Sequence, residues 1–224
     1  MSKSIKLIAA LEIATVFGSA LLVLGVVPMI IELDPITTQI VVWFIYLLGM
    51  GLIWYFQERG GEWRTLGLET ISNWGVVLKR SIIVALVSMM AFVLIGAIAF
   101  KLNLITGSLD FSGYDYLEKR WWMPIVILLA VYISSSFGEE VVYRGFLITR
   151  LMKIFQGFRP KLCSVVISGL IFGLAHWSWG PLGVLQTAAM GWALGYFYLR
   201  YKRQLWINVI AHAILDTILF LQLV

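Results

Sequence analysis

Phe137-Gly138-Glu139-Glu140-Val141-Val142-Tyr143-Arg144-Gly145-Phe146 sets two adjacent carboxylates and an arginine at the end of a run, residues 123–138, that is otherwise apolar for more than a helix length. Whether that run crosses a membrane decides the fold, and the rest of the chain answers. The 224 residues are 61% hydrophobic and 13% charged, with a mean hydropathy of +0.92. A soluble domain averages roughly 45–50% apolar and about 25% charged residues. The chain is therefore read as an all-α, polytopic integral membrane protein. Charges within a span are expensive, so each is a functional hypothesis by default. Residues four apart share a helix face, so Glu140 and Arg144 are expected to pair, acid before base, the favourable order. Glu139 then lies on a different face, next to Tyr143, free for other work.

Hydropathy marks seven spans of about 20 residues each, near 7–31, 36–56, 81–104, 123–147, 162–179, 182–199 and 205–224. Two regions follow: residues 1–122, a three-span scaffold, and residues 123–224, a four-span core. The first span begins after Lys3 and Lys6. Its apolar run is longer than a signal core of about 7–15 residues and no clear Ala-x-Ala site follows, so it reads as an uncleaved helix. The lone cysteine, Cys163, excludes an internal disulfide and a Cys-based metal cluster. The net charge of +5 lies mainly in short inter-helix loops, which suits a lipid bilayer as partner and not nucleic acid.

Lys and Arg accumulate in cytoplasmic loops. With the N-terminus inside, the inner segments hold Lys3, Lys6, Arg59, Arg64, Lys79, Arg80, Arg150, Lys153, Arg159, Lys161, Arg200, Lys202 and Arg203, and the outer ones Lys101, Lys119 and Arg120. Thirteen against three places the N-terminus in the cytoplasm and, for an odd number of spans, the C-terminus outside; in a bacterium this is the plasma membrane. Trp121, Trp122, Trp177 and Trp179 would mark the outer interface, and Trp54, Tyr55 and Trp206 the inner one.

Polar residues at depth separate the two halves. Glu12 reads as a carboxylate near the inner interface, reached by snorkelling or paired with a neighbouring helix. Trp63-Arg64-Thr65-Leu66-Gly67-Leu68 looks like an interfacial amphipathic piece, and residues 103–120 an outer loop. The second half carries Phe172 and His176 on one face of the fifth span, and Asn208, His212 and Asp216 as a stripe on the seventh. Both histidines of the chain lie inside predicted spans, in the company of Glu139, Glu140 and Asp216. A shared intramembrane site is expected. Two imidazoles and a carboxylate make a three-ligand set for a catalytic divalent ion, most suitably zinc, with an open position. A nearby free carboxylate would take the proton from the bound water. Without a metal, Glu139 can act as general base on a water held by the histidines. Both routes activate water, and both point to hydrolysis.

Glu139-Glu140-x-x-x-Arg144, Phe172-x-x-x-His176 and His212-x-x-x-Asp216, in that order on separate spans, resemble the three signatures of the CPBP family of intramembrane proteases. That family joins type II CAAX prenyl endopeptidases to bacterial proteins of bacteriocin processing and self-immunity. The resemblance covers roughly residues 123–224, and the family's last motif allows Asn or Asp where Asp216 stands. It implies Glu139 as the water-activating carboxylate, His176, His212 and Asp216 as metal or water ligands, and Glu140 with Arg144 as the pair that holds the first motif. It also implies hydrolysis of a peptide bond near the C-terminus of a membrane-associated or lipidated substrate, a peptide or membrane protein.

Depth is the difficulty. Counting about 1.5 Å per residue from Arg150, Lys161 and Gln204 puts Glu139 about 16 Å, His176 about 22 Å and His212 about 12 Å deep. Tilt, or a break at Gly145 with residues 146–156 along the inner surface, would bring them level. Three rivals stand beside the protease. A rhomboid-like serine enzyme would use Ser168, but position 166 is Val where that motif needs Gly. A non-catalytic immunity or scaffold protein would bind a peptide or partner. A proton-coupled transporter would use the same Glu, His and Asp as a relay, yet no repeated halves are visible. Ser134-Ser135-Ser136 reads as small residues for close helix packing.

Overall fold

The computed structural model describes residues 3–59, 63–105, 108–119, 122–157 and 159–223, and every regular element among them is helical. Helix α1 is Lys3–Ile30, α2 Pro35–Glu58, α3 Trp74–Lys101 and α4 Met123–Ile154; α5 is Pro160–Ala175, α6 Gly180–Arg200 and α7 Leu205–Leu223. Short 3₁₀ turns occupy Trp63–Leu66, Ser112–Lys119 and Trp177–Trp179. Asp34 starts α2 by accepting the amides of Ile36 and Thr37, with Pro35 in the first turn, where a missing N–H costs nothing. Asn73 caps α3 through the Val76 amide. Arg120 and Trp121, assigned above to the outer side, lie outside the described residues.

Five of the described helices, α1, α2, α3, α4 and α7, are long and apolar enough to cross a bilayer, and six spans result if α5 and α6 count as one broken pass. By length and hydropathy the predicted total of seven is not confirmed. The reason is local: α5 has 16 residues, short of the roughly 20 that a span needs. The axes of α5 and α6 make an angle of 63° at their break. Close approaches pair Gly173 with Ala188, Gly169 with Gly191 and Val165 with Gly195, so the two chains run in opposite directions. Gly173 makes this possible, since a Cβ there would sit 2.5 Å from the Val184 carbonyl oxygen. The basic residues at 153–161 and 200–203 therefore share one end of the hairpin. Large apolar side chains such as Leu21, Leu22 and Met29 face outward, Met29 at 85% exposure, which only a lipid surround satisfies.

Helix α4 is the axis of the bundle. Every residue from Gly138 to Leu151 is buried, as expected of a helix packed on all sides, here by α1, α2, α5 and α7. Its middle, Tyr132–Ile148, is wound as π-helix, a widened form found frequently at functional sites. No break occurs at Gly145; the helix continues to Ile154. Depth is reconciled differently. Arg150 is 2% exposed and forms an ion pair with Glu12 of α1, so it does not mark the surface. Counted from Ile154, Glu139 lies deeper than the count from Arg150 gives, toward the figure for His176. Helix α7 in turn starts inside the bundle: Leu205 is fully buried and its amide donates to the Gly67 carbonyl at 2.9 Å.

That last contact corrects the reading of residues 63–68. Leu66 is fully buried, accepts the Tyr198 hydroxyl on its carbonyl, and packs under Gly145. Gly67 has φ +84°, and a Cβ there would meet the Arg203 carbonyl oxygen at 1.7 Å, so only glycine fits. The segment is a plug and not a surface strip. Trp206, expected at the inner interface, packs onto Phe137, ring centroids 5.9 Å apart, and Trp179 also lines an interior cavity.

Candidate active site

The pair expected from spacing forms: Arg144 Nη1 donates to Glu140 Oε1 at 2.8 Å, with both side chains fully buried. Glu140 does more than neutralise it. His212 Nδ1 lies 2.9 Å from the same oxygen, and Asn208 Nδ2 donates to Oε2 at 3.3 Å and to the Leu194 carbonyl at 2.9 Å. Arg144 also reaches the Gly191 carbonyl through Nη2 and sets its guanidinium 4.4 Å over the Phe172 ring, a contact that suits a desolvated cation. With a carboxylate as its partner, His212 donates from Nδ1, and this fixes the ring with Nε2 turned away from Glu140.

What Nε2 meets is the other glutamate. Glu139 Oε2 is 3.8 Å from His212 Nε2, and Asp216 Oδ1 is 3.7 Å from it on the other side. Both distances exceed a direct hydrogen bond and are of the kind a water bridges. Glu139 is 5% exposed, and its Oε2 has no hydrogen-bond partner among the described residues. The adjacent carboxylates thus straddle one imidazole, one at each nitrogen. Asp216 is held from behind by Ser136, whose hydroxyl donates to Oδ2 at 2.6 Å.

His176 arrives from the end of α5. Its Nδ1 donates to the Phe172 carbonyl at 2.9 Å, leaving Nε2 open, and its ring packs on Phe172 and Trp179 at 4.8 and 4.9 Å between centroids. Phe172 is fully buried and touches Tyr143, His176 and His212 as well as Arg144, so one ring joins the three motifs. Glu139, His176, His212 and Asp216 line one cavity of about 630 Å³. Glu140, Arg144 and Asn208 stand behind its wall. Tyr46 of α2 and Met89 of α3 also line it, so the first half supplies wall as well as support.

Ser136 escaped the sequence reading, which took the serine triplet as packing; its position three and four residues before Glu139 and Glu140 on one face is the signal that could have found it. Tyr46 carries no such signal, because nothing local distinguishes it from any aromatic in a span. The serine-enzyme rival loses its nucleophile: Ser168 is buried and donates to the Tyr143 carbonyl at 2.9 Å, a bond between helices. Ser168→Ala should leave cleavage within about twofold of the parent and cost about 1 kcal/mol of stability; a collapse of activity with the fold intact would restore it.

The donor types suit zinc, and each histidine has its Nδ1 engaged as metal-bound histidines usually do. The spacing does not: among the described residues no three His, Cys, Asp or Glu side chains are grouped to hold an ion. As arranged, His176, His212 and Asp216 do not form a metal cage.

Residues 120–218 match the family model described as type II CAAX prenyl endopeptidase Rce1-like. All six residues singled out by sequence fall within that stretch. No curated protein and no solved structure matches the chain.

Proposed function

Residues 120–218 belong to the CPBP family of CAAX-type proteases, and from that premise we propose that the chain is an intramembrane endopeptidase in which Glu139 activates a water against a peptide bond. The observation that carries this reading is the buried Glu139 carboxylate at the cavity wall, its Oε2 without a hydrogen-bond partner among the described residues, beside an imidazole whose orientation Glu140 sets. A water between Glu139 Oε2 and His212 Nε2 gives its proton to Glu139 while its oxygen attacks the scissile carbonyl. The C–N bond then breaks as Glu139 returns the proton to the leaving nitrogen, yielding a carboxylic acid, which keeps the water's second proton, and an amine. His176 lines the same cavity with its Nε2 open, and Asp216, positioned by Ser136, lies 3.7 Å from the same His212 Nε2. The low dielectric of the buried cavity strengthens each of these contacts.

A second reading places a divalent ion, zinc by donor type, on His176, His212 and Asp216. It is favoured by the two open Nε2 atoms and requires the side chains to close in. One experiment separates these. The purified protein is reconstituted in vesicles with membrane-anchored peptides, and new termini are identified by mass spectrometry before and after exhaustive chelation. Cleavage that survives chelation supports the metal-free water site. Cleavage lost on chelation and restored by zinc moves the same residues to the metal reading. No cleavage of any membrane-anchored peptide favours the peptide-binding scaffold.

A further inference from the structure

Among the described residues, the lining of the cavity reaches the helix connections at one end of the bundle only. Its rim is built from Leu33 between α1 and α2, Asp110 and Tyr114 between α3 and α4, Trp179 at the turn of the hairpin, and Gln222 near the end of α7. Among the described residues, none from the connections 59–73, 155–159 or 201–204 lines it. That opposite end is closed. Leu66, Phe146, Leu147, Tyr198 and Leu205 are all fully buried there, and the Gly67 carbonyl is hydrogen-bonded to the Leu205 amide. A peptide could reach Glu139 from that side only by unpacking the core.

The basic residues are distributed the other way. Arg59, Arg64, Lys79, Arg80, Lys153, Arg159, Lys161, Arg200, Lys202 and Arg203 all lie at the closed end, while Lys101 and Lys119 lie at the end of the rim. Tertiary contacts confirm that these stretches meet: Arg80 stacks over Tyr201 at 4.8 Å, and Arg150 near the end of α4 pairs with Glu12 near the start of α1. Short loops rich in Lys and Arg stay in the cytoplasm.

We propose that the cavity is loaded from the non-cytoplasmic side of the membrane, so that its substrate is an exported peptide or the outward-facing juxtamembrane segment of a membrane protein. This rests on the hydrolytic reading for the word substrate, but the side from which the cavity opens does not. A lipidated C-terminus in the cytoplasm would meet the sealed end. The activity is then one that trims chains already translocated, downstream of export.

Cysteine accessibility tests the side independently of catalysis. In a Cys163→Ser background, single cysteines are introduced at the rim, Ser112→Cys and Gln222→Cys, and at the closed end, Ser72→Cys. A membrane-impermeant maleimide is applied to intact cells, and labelling is expressed as a fraction of that after permeabilisation. The rim cysteines should label fully in intact cells and Ser72→Cys only at background. The reverse pattern, or equal labelling of both ends in intact cells, overturns the proposal. Rim labelling from outside with no proteolysis of outward-facing segments leaves the orientation standing and defeats the hydrolytic reading alone.

Discussion

Glu139→Gln should lower peptide cleavage by a factor of about 10²–10⁴, the usual contribution of a general base, with yield and thermal stability unchanged. The amide has the size of the carboxylate, so the cavity keeps its shape, but it cannot take a proton from water. Stability should hold because Glu139 Oε2 forms no hydrogen bond among the described residues and its nearest ionic neighbour, His212, is held by Glu140 at the other nitrogen. Rates are measured at saturating membrane-anchored peptide in vesicles and compared with melting curves of the same preparations. An unchanged rate would sink the hydrolytic assignment and leave a binding protein that keeps polar residues for packing.

Glu140→Gln should fail in the opposite way, as a loss of fold first. It leaves the Arg144 guanidinium buried without a counter-charge, and breaking such a pair costs about 3–5 kcal/mol. Arg144 has few alternatives: the Gly191 carbonyl at 3.4 Å and the face of Phe172. The double variant Glu140→Gln/Arg144→Met removes the orphaned charge and should recover most of the lost stability, because a hydrophobic replacement of a buried pair is often neutral. Activity should not recover with it, since His212 still lacks the carboxylate that orients its ring. A double variant that regains both stability and rate would show that Glu140 serves the fold alone.

The fold class and the family could be read along the chain, and the six candidate residues stand out in it, because of the cost of polarity in lipid. In an apolar background each buried charge is conspicuous, and Glu140 and Arg144, four apart on one helix, name each other as partners without any tertiary information. The stripe of Asn208, His212 and Asp216 is visible for the same reason: periodicity is a property of one helix. Contacts between helices leave no such trace. Ser136 bonds Asp216 across 80 positions of sequence, and a serine in a span looks alike whether it packs or bonds. Depth was misjudged because Arg150 and Leu205 were counted from as if at the surface, whereas Glu12 draws the one into the bundle and the plug at Leu66 and Gly67 covers the other. The tight packing of α5 back on α6 through Gly173 left no trace either, since close approach of backbones depends on which glycine faces which helix. Which residues stand out as candidates was thus decided by the expense of burying them; how they come together around one imidazole was decided by packing between helices that no single stretch of sequence encodes.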